Sequence, residues 1–137
     1  MATLKILLLT IVVFIAGSLW FSKLFGKTWK KIHHEKEKTS DEKKNDMKDM
    51  WKFMTAEFVL TFIINILLYF IVIASDDNLS VALITTLLLW FGLILPTTVS
   101  NVIWGGDDKK WMVKKIAISS GHRLITMLFA VLILFFW

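Results

Sequence analysis

Three ionisable residues lie inside or beside long apolar stretches of this sequence, where a charge is costly: Glu57, His122 and Arg123. A charged residue within a membrane span costs about 2.5 to 3.5 kcal/mol on insertion scales, and an opposite charge nearby removes part of that cost. We therefore predict an ion pair between Glu57 and Arg123, with His122 beside it. Intramembrane groups of this kind mark binding sites or paths for small solutes and ions, although such a pair can also merely fix the register of packed helices.

Polar residues recur at helical spacing around these groups. The stripes are Glu57, Thr61, Asn65 and Tyr69 in one stretch, Thr86, Trp90, Leu93, Thr97, Asn101 and Trp104 in a second, and Ser119, His122, Arg123, Thr126 and Ala130 in a third. Residues three and four apart share one face of a helix, and lipid does not solvate polar groups, so we expect the stripes to face one another. The predicted ligand or ion cluster comprises Glu57, Asn65, Thr97, Asn101, His122 and Arg123.

Membrane-spanning helices are the elements that must position this cluster. A content of 56% hydrophobic residues is too high for a soluble domain of 137 residues. Residues 6–22, 58–75 and 78–106 carry no charge, against a requirement of about 20 apolar residues per span. The last uncharged stretch, 124–137, is too short alone, so a full fourth span must begin near Ile116. The alternative is a short final helix from which Arg123 reaches the headgroups.

The sequence thus predicts an all-α fold, an integral membrane four-helix bundle in a single domain of residues 1–137. The expected spans lie near 4–25, 53–74, 79–104 and 115–137, and a hydrophilic loop covers 27–52. Nine lysines lie between Lys27 and Lys52 and four between Lys109 and Lys115, whereas residues 76–78 have none. The positive-inside rule then places both lysine-rich loops in the cytoplasm and both termini on the extracytoplasmic side of the inner (plasma) membrane.

Aromatic and basic residues flank the first two spans and predict interfacial anchors. The anchor set is Trp20, Lys23, Lys27, Trp29 and Trp51, with rings at headgroup depth and lysines reaching toward the cytoplasm. Apolar residues from Met47 onward recur at helical spacing, which predicts an amphipathic helix lying in the interface before the second span. The lysine-rich loops are expected to attract anionic lipid, at about 1 kcal/mol per basic residue.

Several chemistries are not expected. The chain has no cysteine, no nucleophile elbow and no phosphate-binding glycine loop, so we predict no catalytic residue, no cofactor and no metal site. An acid–base pair of Glu57 and His122 is a minor hypothesis. The cluster His33, His34, Glu35 and Glu37 matches no established metal spacing and fits a solvated loop. The net charge of +5 reflects membrane topology, and no folded basic domain remains to bind nucleic acid.

The first span has a rival interpretation as a secretory signal peptide, with Lys5 as its positive region and small residues at 16–18 near a cleavage site. The lysine-dense flank that follows favours a retained span.

The stretch GSLWFSKLFGKTW, residues 17–29, resembles the signature of the DUF1761 family of small bacterial membrane proteins: a glycine, an aromatic pair, a Phe-Gly-Lys step and a tryptophan. Phe21 stands where that family usually has tyrosine. The resemblance covers nearly the whole chain and implies a four-helix integral membrane protein of uncharacterised function.

Two functions remain open from the sequence. The first is the binding or passage of a small solute or ion through the polar cluster, in the cytoplasmic half of the bundle, by a homo-oligomer. The second is a non-catalytic accessory or assembly subunit of a larger membrane complex. Its contact surface would be the aromatic residues that end the chain, Phe129, Phe135, Phe136 and Trp137.

Overall fold

The chain is helical throughout the part that the structure describes. A computed structural model describes residues 1–32, 40–106 and 108–137, and no strand occurs among them. The α-helices are α1 (Ala2–Leu19), α2 (Gly26–Ile32), α3 (Ser40–Ala74), α4 (Leu79–Leu89), α5 (Leu95–Trp104) and α6 (Lys109–Phe136). Two π-helical turns interrupt them, π1 (Trp20–Leu24) after α1 and π2 (Trp90–Ile94) between α4 and α5. The prediction of an all-α fold is confirmed.

Four segments are long and apolar enough to cross a membrane. They are span 1 (Ala2–Leu24), span 2 (Asp49–Ala74), span 3 (Leu79–Trp104) and span 4 (Lys109–Phe136). A helix satisfies its own backbone hydrogen bonds, so it suits apolar sequence in lipid. Span 4 runs without a break from Lys109 to Phe136, so the long final helix is present rather than a short one that begins after Arg123.

Helix α6 lies at the centre of the packing and contacts each of the other three spans. The buried apolar cluster between them consists of Leu9, Val13, Leu68, Ala82, Met127, Ala130 and Val131. Its two alanines, Ala82 and Ala130, are fully buried, and such small residues let helix backbones approach closely. Large apolar side chains such as Leu88 and Phe91 are exposed on the outer surface, where lipid would cover them.

Helix α3 is longer than its span. It continues from Ser40 to Ala74, so the amphipathic segment predicted from Met47 and the second span form one helix, with no break between them. The predicted hydrophilic loop at 27–52 is therefore helical at both of its ends, in α2 and the start of α3. The cluster of histidines and glutamates at residues 33–37, considered above as a metal site, lies outside the described residues. Among the residues that are described, no group of three metal-ligating side chains occurs.

Tight turns set the directions of the spans. Between α3 and α4, Asp76 and Asp77 both adopt left-handed backbone conformations, with φ of 47° and 58°. Asn78 then caps α4 by accepting a hydrogen bond of 3.2 Å from the Val81 amide. At the same end of the molecule as this turn, the Lys5 ammonium donates to the Trp137 carbonyl at 2.9 Å, so both termini lie there as well. We call the other end, where spans 2 and 4 begin, the lysine-rich end.

Candidate functional site

A cavity of about 460 Å³ lies between the four spans, toward the lysine-rich end. Every span contributes to its wall. The lining residues are Val13, Phe14, Gly17, Ser18 and Phe21 from span 1, Met54, Glu57 and Thr61 from span 2, Thr98 from span 3, and Ser119, His122 and Arg123 from span 4. The volume falls within the range of about 300–1,000 Å³ that is usual for small-molecule sites.

The two predicted charges meet in the wall of this cavity. Arg123 Nη2 donates a hydrogen bond to Glu57 Oε1 at 2.6 Å. The two side chains are 24% and 45% exposed, respectively, so neither charge is sealed into the apolar core. A hydrogen bond between two ions is shorter and stronger than a neutral one. The pair therefore holds spans 2 and 4 together and leaves both charged groups accessible from the cavity.

His122 occupies a niche made by the first span. The residue is 7% exposed, and its ring lies 5.0 Å from the ring of Phe21. A Cβ atom on Gly17 would lie 2.9 Å from His122 Nε2, closer than real Cβ contacts allow. A side chain at position 17 would therefore require the imidazole to move from its present place. Nε2 is buried and has no hydrogen-bond partner among the described residues.

Two tryptophans bind the backbone of α6. Trp20 Nε1 donates to the Ile118 carbonyl at 3.2 Å, and Trp90 Nε1 donates to the Ser120 carbonyl at 2.8 Å. Each tryptophan is the first residue of a π-helical turn, π1 or π2. The indole N–H groups thus fasten spans 1 and 3 to the same stretch of α6 that carries His122 and Arg123.

The anchor set predicted from the sequence divides into two groups. Trp20 is half-buried, its indole N–H is bonded to α6, and its ring lies 6.1 Å from that of His122, so its polar group is used within the bundle. Trp29 is also half-buried, with its ring 4.8 Å from that of Phe21. The remaining members, Lys23, Lys27 and Trp51, are exposed.

Three residues of the predicted cluster, Asn65, Thr97 and Asn101, are not among those that line the cavity. Thr97 and Asn101 are exposed, and the Thr97 hydroxyl donates back to the Leu93 carbonyl of its own helix. In span 3 the cavity is lined instead by Thr98, the residue that follows Thr97. The structure thus does not bring Thr97 and Asn101 to the wall of the cavity that Glu57 and Arg123 line.

The reason is the π-helical turn π2. The Leu95 amide bonds to the Trp90 carbonyl, five residues back, so this turn holds one residue more than an α-helical turn. An unbroken α-helix would carry the inward face from Thr86 and Trp90 to positions 93, 97 and 101. The additional residue moves that face by one position, to Ile94, Thr98 and Val102, which are half-buried or buried. Pro96, which has no amide hydrogen to donate, follows directly at the start of α5.

Asn65 lies one helical turn beyond the cavity-lining Thr61, toward the apolar core. It is buried, and its Nδ2 donates to Thr10 Oγ1 of span 1 at 3.0 Å. A separate void whose lining includes Asn65 and Arg123 measures only about 10 Å³, barely enough for one water molecule. Beyond it lies the apolar core around Leu68 and Val131. The cavity is thus a blind site that ends within the bundle.

The wall of the cavity combines charged, hydroxyl and apolar groups. An ion pair, hydroxyl groups and an apolar wall surround a volume that suits a small organic molecule. In comparison with known proteins, a family model described as "Protein of unknown function (DUF1761)" matches residues 4–135. No curated protein and no solved structure matches the chain.

Proposed function

The chain belongs to the DUF1761 family, and from this premise we propose that it is a multi-pass protein of the plasma membrane that binds a small solute in the cavity between its four spans. The observation that carries the proposal is the Glu57–Arg123 pair exposed on the wall of that cavity. Groups that served only to hold helices in register would be expected to sit in contact with packed side chains rather than beside 460 Å³ of free volume.

The lysine distribution supports the orientation in this proposal. The exposed lysines Lys23, Lys27 and Lys109 lie at the end of the molecule where the cavity is found, and both termini lie at the other end. With positive residues inside, the cavity belongs to the cytoplasmic half of the membrane. The solute would then reach the cavity from the cytoplasm or from the inner leaflet.

The blind deep end favours binding over free passage. Asn65, Thr10 and the apolar core fill the space between the cavity and the terminal end. Transfer of a solute across the membrane would require these helices to separate, as in alternating-access transporters. Binding is therefore the function proposed, and transport would be an additional property of the same site.

Native mass spectrometry tests the proposal. The protein is extracted from its own membrane in mild detergent and compared with Arg123→Gln and, as a matched control, Thr97→Ala, whose side chain lies outside the cavity. We expect a reproducible small adduct on the wild type and on Thr97→Ala that is lost from Arg123→Gln. A folded wild type without an adduct, or an adduct that Arg123→Gln retains, would overturn the proposal.

The same measurement addresses the alternative function. An accessory subunit would be recovered in fixed stoichiometry with an unrelated membrane protein and would carry no adduct. The spectrum also gives the number of copies, which tests the expected homo-oligomer, and it shows whether anionic lipid is retained at the lysine-rich segments. A single copy would remove the homo-oligomer from the proposal without affecting the site, because all the cavity-lining residues come from one chain.

A further inference from the structure

We infer that the solute is a small zwitterion, which places an acidic group against Arg123 and an ammonium group against Glu57. This inference rests on the proposed function and specifies the ligand class of the same cavity. Two sources share the chemistry: a free amino acid, and the phosphoethanolamine headgroup of a membrane lipid. Both carry one anionic and one cationic group a few bonds apart.

The charge balance of the cavity is the first argument. With histidine counted as neutral, Glu57 and Arg123 are the only formally charged residues among those that line it, and their charges cancel. A ligand with a net charge would leave one charge uncompensated in a region of low dielectric constant, which is costly. A zwitterion keeps the sum at zero and still supplies a partner of the right sign to each side chain.

The geometry of the ion pair is the second argument. Arg123 and Glu57 are joined by a single N–H···O contact, from Nη2 to Oε1. A guanidinium has five N–H donors and a carboxylate has two oxygen atoms, so both groups keep free bonding capacity. An acid on the guanidinium and an ammonium on the carboxylate would complete a ring of four alternating charges. The existing bond need not break for such a ligand to enter.

The remaining walls supply the third argument. Val13, Phe14 and Met54 offer an apolar surface for the body of the ligand, such as a branched side chain or the start of an acyl chain. Thr61 is 4% exposed and lines the same cavity, one helical turn beyond Glu57. No hydrogen bond joins its hydroxyl to any residue that the structure describes. It is a buried polar group available to the charged end of the ligand.

Thermal unfolding in a neutral detergent, followed by tryptophan fluorescence, tests the inference. The probes are leucine and glycerophosphoethanolamine as zwitterions, with 4-methylpentanoate and isoamylamine as analogues that carry only the acid or only the amine. We expect at least one zwitterion to raise the melting temperature while both singly charged analogues leave it unchanged at equal concentration. A shift with leucine alone identifies a free solute, and a shift with glycerophosphoethanolamine alone identifies a lipid headgroup.

Matched variants tie the effect to the cavity. Glu57→Gln and Arg123→Gln should abolish the shift, and Thr97→Ala should retain it. Because the charge variants can fail to fold, Thr61→Val serves as a variant of nearly equal volume, with an expected weakening of zwitterion binding of about 2- to 10-fold. Unchanged affinity in Thr61→Val together with a retained shift in Arg123→Gln would overturn the inference.

Failure of the inference can be told apart from failure of the proposed function. If a singly charged analogue stabilises the protein, or if no probe does while native mass spectrometry shows a cavity-dependent adduct, the ligand is not a zwitterion but the cavity still binds a solute. If neither the probes nor the mass spectrum shows binding, both are wrong.

Discussion

The contact between Gly17 and His122 is the tightest constraint at the scale of single residues. It explains the glycine of the GSLWF stretch, because any larger side chain would meet the imidazole. The same stretch supplies Phe21 and Trp20, whose rings surround His122. The GSLWF stretch of span 1 thus packs around the His122 side chain of span 4. The same stretch forms part of one wall of the cavity.

We expect Gly17→Ala to destabilise the protein by about 1–3 kcal/mol, since the added methyl group forces the imidazole from its niche. Unfolding in mixed detergent and sodium dodecyl sulfate micelles measures the change. Gly92→Ala is the matched control, because a Cβ there meets nothing within 4 Å. Equal stability of the two variants would contradict the packing described for His122.

At the scale of elements, π2 decides which residues of span 3 face the bundle. A regular period predicted the inward face of span 2 correctly: Thr61 and Asn65 are buried, and Glu57 and Tyr69 are half-buried. The same reasoning failed in span 3 after Trp90, because one additional residue in a helical turn rotates everything beyond it by about 100°. Periodicity alone contains no signal for such a turn, although Pro96 close behind it is a warning.

A pair of substitutions tests this register. Asn101→Val should leave stability within about 0.5 kcal/mol, because the side chain is exposed on an apolar surface. Val102→Asn should cost about 1–3 kcal/mol, because it buries an amide without a partner. The two variants exchange the same residue types at adjacent positions, so the unfolding titration needs no further control. If Asn101→Val were the less stable of the two variants, span 3 would have the register of an unbroken α-helix and the register described here would be wrong.

At the scale of the whole molecule, the uncharged stretches and the length that a span requires predicted four apolar helices, and the ionisable residues predicted the Glu57–Arg123 pair. Charges in apolar sequence are few, so their partners can be guessed. The role of Trp20 could not be predicted in this way, because an indole at a span end suits both a lipid interface and a bond to a neighbouring helix. Which helix lies beside Trp20 depends on the tertiary packing, which the structure shows and the sequence pattern does not.

The orientation of the molecule is testable because the sequence has no cysteine. Ser80→Cys and Lys109→Cys each introduce a single thiol at an exposed position, near opposite ends of span 3. A membrane-impermeant maleimide should label Ser80→Cys in intact cells and Lys109→Cys only after permeabilisation. Labelling in the opposite order would place the cavity in the outer half of the membrane and overturn the cytoplasmic assignment.

The length of α3 has a mechanical consequence. Its 35 residues extend over about 52 Å, whereas the hydrocarbon core of a bilayer is about 30 Å thick. In a membrane, about 20 Å of the same helix would therefore extend beyond the hydrocarbon core, mostly at the lysine-rich end, where residues 40–48 precede span 2. Because Glu57 belongs to the same helix, we expect a tilt of the outer end of α3 to move the Glu57 carboxylate relative to Arg123. A displacement of the segment before span 2 would thus reach the Glu57–Arg123 ion pair through one continuous helix.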